Sequence, residues 1–186
     1  MKRREFLSTS LQGSLAASIS MLFPAGLLAS ELPADITELT ASKLSAAIRD
    51  RQVSCLEVMQ AYLQRIERYN PVYNAIVNLA EQDSLLGQAR RADTALDKGE
   101  YWGWMHGMPH AVKDLANVEG MITTSGSRIF ANRVATADSS LVADVRKQGA
   151  IFIGKTNTPE FGLGSQTYNE VFGATGSAWN PALTAG

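Results

Sequence analysis

Three sets of residues in this 186-residue sequence have types and spacings that could do chemistry. Gly149-Ala150-Ile151-Phe152-Ile153-Gly154-Lys155-Thr156 satisfies every fixed position of the phosphate-loop pattern G-x-x-x-x-G-K-[ST]. His106 and His110 stand four apart, the spacing of paired metal ligands on one helix face. Cys55 is the one cysteine, too few for an intrachain disulfide or a cysteine-based zinc site. The residues in between overturn the first two. A phosphate loop folds its four variable residues into a tight turn whose N–H groups surround phosphates, whereas Ala, Ile, Phe and Ile favour a buried strand. Gly107 and Pro109 break any helix that would bring the two imidazoles together. No G-x-S-x-G nucleophile elbow occurs.

The elements around these residues can be read from their punctuation. Thr40 caps a helix predicted over Ala41–Asp50, with Leu44, Ala47 and Ile48 on one face. Ser54-x-x-Glu57 forms a capping box for a second helix, whose apolar positions Leu56, Met59, Leu63 and Ile66 recur at helical spacing. Asn70-Pro71 is expected to stop it. A short β-like run covers Ala75–Leu79, and a third helix covers Glu81–Lys98 with Gly99 at its C-cap. Asp138–Gln148 reads as a helix and Ala150–Ile153 as a buried strand. Tyr62, Trp102, Trp104 and the methionines are expected in the core or a pocket wall. Helices followed by alternating strands and helices argue for an α/β architecture.

The segment from His106 onward carries an ordered set of blocks. His106-Gly107-Met108-Pro109-His110-Ala111-Val112-Lys113-Asp114 is followed by Gly120, then Thr123-Thr124-Ser125-Gly126-Ser127. Gly149-Ala150, Gly154-Lys155-Thr156-Asn157-Thr158-Pro159-Glu160-Phe161, Asn169, Gly173 and Asn180-Pro181 complete it. Taken together over residues 35–186, the set resembles the amidase signature family. The resemblance implies the N-terminal part of that family's fold, a mixed β-sheet core covered by helices and preceded by a helical segment. It also implies hydrolysis of a C–N bond in a small-molecule amide by a Ser–cis-Ser–Lys triad, with no cofactor and no metal.

In the family, the lysine of the Pro-x-x-x-Lys-Asp block is the triad's base, which here is Lys113. A lysine at its reference pKa of about 10.4 is protonated at neutral pH, so a base at this position needs desolvation to release a neutral amine. The family's cis-serine lies in a Gly-Gly-Ser-Ser-Gly-Gly block and its nucleophile further along, in Asp-x-Gly-Gly-Ser; neither block is among these residues. Gly186 reads as the first glycine of the former, and strands here are expected to keep unpaired edges. Ser54, Ser139 and Ser140 read as helix starts, and Ser125 and Ser127 as turn residues. The 186 residues alone are therefore expected to be inactive.

The amino terminus reads as an address. Lys2-Arg3-Arg4-Glu5-Phe6-Leu7 precedes Ser8–Ser30, which holds no charged residue. A basic start, a mildly apolar stretch diluted by Gln12 and Gly13, and a small-residue end make an export signal over residues 1–30, cleaved near Ala29 or Ser30. Arg3-Arg4 with Phe6-Leu7 resembles a twin-arginine signal, although Lys2 and Ser8 depart from its usual pattern. This implies a bacterial protein handed to the twin-arginine export machinery and delivered to the periplasm or otherwise exported, touching the membrane only in transit. The alternative is an uncleaved membrane anchor over Phe6–Ala29. Without Lys2, Arg3, Arg4 and Glu5, residues 31–186 hold 14 basic and 17 acidic side chains, no footprint for nucleic acid. Two other readings stay open: a non-catalytic exported fragment or pseudogene product, and a cytoplasmic A subunit of a glutaminase-type amidotransferase.

Overall fold

The computed structural model describes residues 32–186. The export signal and the anchor alternative fall on residues 1–30, outside the described residues. Three helices come first: α1 (Ala41–Arg49), α2 (Cys55–Tyr73) and, after strand β1 (Ile76–Leu79), α3 (Gln82–Asp97). Strand β2 (Pro109–Lys113), helix α4 (Ser140–Lys147) and strand β3 (Ile151–Thr156) follow, and a small hairpin pairs β4 (Tyr168–Asn169) with β5 (Gly173–Ala174). Among the described residues no helix is long and apolar enough to cross a membrane.

Local contacts start the helices where expected. The Thr40 hydroxyl accepts the Lys43 N–H, and Ser54 and Glu57 exchange both bonds of a capping box. The end of α2 departs from expectation: Asn70-Pro71 does not stop it, and the helix runs on to Tyr73. Pro71 donates no bond, but the Asn74 N–H reaches the Asn70 carbonyl at 2.7 Å and closes the last turn. The Asn70 amide meanwhile bonds both the N–H and the C=O of Ile76 at 2.8 Å, clamping the start of β1. The helix ends at Asn74, which adopts the left-handed conformation (φ 48°).

The main sheet has the order β1-β3-β2, with β1 antiparallel and β2 parallel to β3, so it is mixed as expected. The outer edges of β1 and β2 carry no strand partner among the described residues. The central strand is not regular. His110 pairs with Phe152 and Ala111 with Gly154, so Ile153 is skipped. That bulge shifts the alternation and puts Phe152 and Lys155 on one face. There Phe152 packs with Val112, Val118 and Val142 of α4. Gly154 is demanded by proximity, since a Cβ would sit 2.6 Å from the Asn78 carbonyl oxygen.

Met59, Met105 and Met108 are buried, and Tyr62 lines a cleft. Trp104 is 51% exposed rather than in the core. Its backbone carbonyl is tied to the Ser45 hydroxyl at 2.5 Å, leaving the indole directed outward. His106 is buried with both ring nitrogens engaged: Nδ1 accepts the Trp102 N–H at 3.1 Å, so Nε2 carries the proton it donates to the Ala92 carbonyl at 2.9 Å.

Candidate active site

Lys113 is the last residue of β2. Val112 pairs with Lys155 and Lys113 with Thr156. The Asp114 N–H carries the ladder one step further, donating to the Thr156 carbonyl at 2.9 Å. Side chains alternate, so Val112 and Asp114 are buried while Lys113 is exposed. The described residues therefore do not bury the Lys113 amine.

What they do build is the base on which it stands. The Asp114 carboxylate, 0% exposed, accepts the Thr124 N–H at 3.1 Å and the Thr124 hydroxyl at 2.5 Å. The Ser125 N–H donates to the Asp114 carbonyl at 3.0 Å, and the Phe161 N–H to the Ser125 carbonyl at 2.7 Å. Ser125 (φ 56°) and Gly126 (φ 67°) are both left-handed, which turns the chain against the backbone of Thr158, Pro159 and Glu160. At Gly126 a Cβ would approach the Thr158 carbonyl to 3.0 Å, so this turn favours glycine.

The second buried charge is Lys155, also 0% exposed. Its amine donates to the Ala116 carbonyl and, at 2.9 Å, to the Thr123 hydroxyl. Burial pushes this amine below the usual lysine range, and the Asp114 charge pulls it back up. Neighbouring threonines are thus divided between a buried cation and a buried anion. In the sequence Lys155 belongs to the excluded phosphate-loop pattern and to the family blocks, with no role of its own. A signal for one is present, because a lysine ending a run of Ile, Phe, Ile and Gly has to be satisfied inside.

The two excluded motifs fall apart in space as well. Ala150–Ile153 is buried, and Ile151–Thr156 forms the central strand, so its N–H groups serve the sheet rather than a phosphate. His110 lies half-buried, edge-on to Phe152 at 5.8 Å, and burial holds its imidazole below the ordinary value. The serines keep their modest roles: Ser54 caps α2, Ser127 precedes the turn at Arg128–Phe130, and the Ser139 hydroxyl donates to the Asn117 carbonyl. On the face that Lys113 shares with Pro109 and Ala111, a cleft of 590 Å³ runs beneath Tyr62, Tyr69 and Tyr73 of α2.

Comparison with known proteins agrees with this architecture. Residues 57–186 match the Amidase family. The A subunit of the glutamyl-tRNA(Gln) amidotransferase of Acidothermus cellulolyticus is 38% identical over 146 residues, which is 78% of this chain and 29% of that protein. The acylamidase of Rhodococcus erythropolis is 34% identical over 148 residues, 80% of this chain and 31% of the relative. The native peptide amidase of Stenotrophomonas maltophilia superposes with a TM-score of 0.71 at 27% identity, covering 81% of this chain and 32% of that one. The chain spans less than a third of the length of these proteins. With its mixed sheet, its ordered blocks and a family match over more than two-thirds of its residues, the chain belongs to the amidase signature family.

Proposed function

We propose that this chain is the N-terminal part of an exported amide hydrolase, in which Lys113 is the base of a Ser–cis-Ser–Lys triad. The observation that carries this reading is the position of Lys113. It ends a strand on a buried Asp114 and Thr124 support, inside a segment that matches the Amidase family. The triad's two serines, and the groups that desolvate the exposed amine, belong to the rest of the enzyme.

In the reaction the neutral Lys113 amine takes a proton from the cis-serine hydroxyl, which takes one from the nucleophilic serine. The serine oxygen bonds to the amide carbonyl carbon, and the tetrahedral intermediate collapses as the C–N bond breaks. The protonated lysine returns its proton through the cis-serine to the leaving amine. Water then hydrolyses the acyl-enzyme by the same relay. The 186 residues alone hold the base without its nucleophile and are expected to show no turnover.

Lys113→Met in the full-length enzyme is the test. Its kcat is expected to fall by about 10²–10⁴-fold, in a variant whose far-UV circular dichroism shows it still folded. Wild-type turnover in that variant would refute the assignment.

The 38% identity to an amidotransferase's A subunit favours a second reading, glutamine hydrolysis in the cytoplasm for a partner enzyme. Location separates the two. An exported hydrolase is found in the periplasm and loses that location when Arg3 and Arg4 are both changed to Lys. A cytoplasmic protein indifferent to those changes supports the amidotransferase reading instead.

A further inference from the structure

We propose that Lys155 is a positioning residue for Lys113, acting through the loop that follows β2 with Thr123 as its partner. The inference rests on the reading of Lys113 as the triad base. A lysine fully buried on a central strand is costly to desolvate, and an apolar side chain of similar length would fill the same space without that cost. What the amine adds is two directed hydrogen bonds, and their targets matter.

The first is the Ala116 carbonyl. The N–H of Ala116 in turn donates to the carbonyl of Lys113 at 3.0 Å. The other polar group of that same peptide, the Asp114 N–H, is held by Thr156, the residue next to Lys155. Both sides of the peptide plane leaving Lys113 are therefore referred to adjacent residues of β3. The second target, the Thr123 hydroxyl, lies at the far end of the loop. Thr123 is bracketed by Arg133, whose carbonyl accepts the Thr123 N–H at 2.9 Å and whose Nε donates to the Thr123 carbonyl at 3.1 Å. One side chain on the central strand thus ties both ends of the segment 116–123. Thr124, the next residue, supports the Asp114 carboxylate. Loosening this tie lets the root of Lys113 drift, and displacements near 1 Å at a reacting group cost roughly a hundredfold in rate.

Thr123→Val removes the hydroxyl, keeps the shape and leaves Lys155 in place; Thr123→Ser keeps the hydroxyl. In the full-length enzyme Thr123→Val and Lys155→Met are expected to lower kcat roughly tenfold to a hundredfold. KM should stay unchanged, and the rising limb of kcat against pH should be displaced. Thr123→Ser is expected to restore both kcat and the limb. If Lys155→Met does not fold, the Thr123 pair alone decides. The inference is overturned if folded Thr123→Val keeps wild-type kcat and pH profile, if its loss lies only in KM, or if Thr123→Ser fails to recover the rate. An enzyme whose Lys113→Met variant still turns over at the wild-type rate sinks the base assignment, and this inference with it. Loss of activity in Lys113→Met with an unaltered Thr123→Val sinks this inference alone.

Discussion

Lys113 and Lys155 stand one rung apart on neighbouring strands, with their side chains on opposite faces of the sheet. Lys113 is opposite Thr156 and exposed; Lys155 is opposite Val112 and 0% exposed. The same register that presents one amine to the surface directs the other into the packed side beneath α4. Two lysines of equal intrinsic chemistry are thereby separated into a candidate base and an internal strut. The bulge that skips Ile153 does the separating, since without it Lys155 would share a face with Ile153 and the cleft.

The bulge depends on Gly154. A methyl group there would press on the Asn78 carbonyl at 2.6 Å and the Leu79 Cα at 3.1 Å, both backbone atoms of β1 that cannot swing aside. Gly154→Ala is expected to destabilise the protein by about 1–3 kcal/mol. The urea midpoint measures this, and a wild-type midpoint would show that β1 can move away freely.

Acid should weaken the junction before α4. The Asp138 carboxylate takes two bonds from Arg146, at 2.6 and 2.9 Å, and one from the Glu119 N–H at 2.7 Å. The Arg146 bonds foremost hold its pKa below the ordinary aspartate value of 3.8. A lowered folded-state pKa stabilises the protein above 3.8, and that contribution is lost as the pH falls through the folded value. Unfolding curves of wild type and Asp138→Asn should therefore differ at neutral pH and converge in strong acid. A gap between them that widens on acidification would contradict this.

Cys55 should be chemically silent in the folded protein. It is fully buried at the start of α2, and burial, with the Asp93 charge second, pushes the thiol well above its ordinary pKa. An aromatic disulfide reagent is expected to leave it untouched in native buffer and to label it completely in denaturant. Rapid native labelling would mean that the contact between α2 and His106 opens.

Much of the helical framework could be read along the chain because it is made by near neighbours. Thr40 reaches Lys43, and Ser54 and Glu57 bond each other, so side chains three residues apart decide where α1 and α2 begin. The apolar run Ala150–Ile153 likewise announces a buried strand, and the ordered blocks around Lys113 announce the family before any coordinate is known. The end of α2 could not be read this way. Pro71 forbids one hydrogen bond, but whether the helix survives depends on Asn70 and Asn74 and on the β1 backbone that Asn70 grips. The opposite exposure of the two lysines lies further still from local pattern. It follows from the pairing of β3 with β1 and β2, strands distant from it in the chain, and from acceptors at Ala116 and Thr123 that meet Lys155 only once the sheet has formed. Caps and periodicity are properties of a few consecutive residues, whereas the face a strand residue occupies is set by its register against distant neighbours, and a shift of one position reverses it.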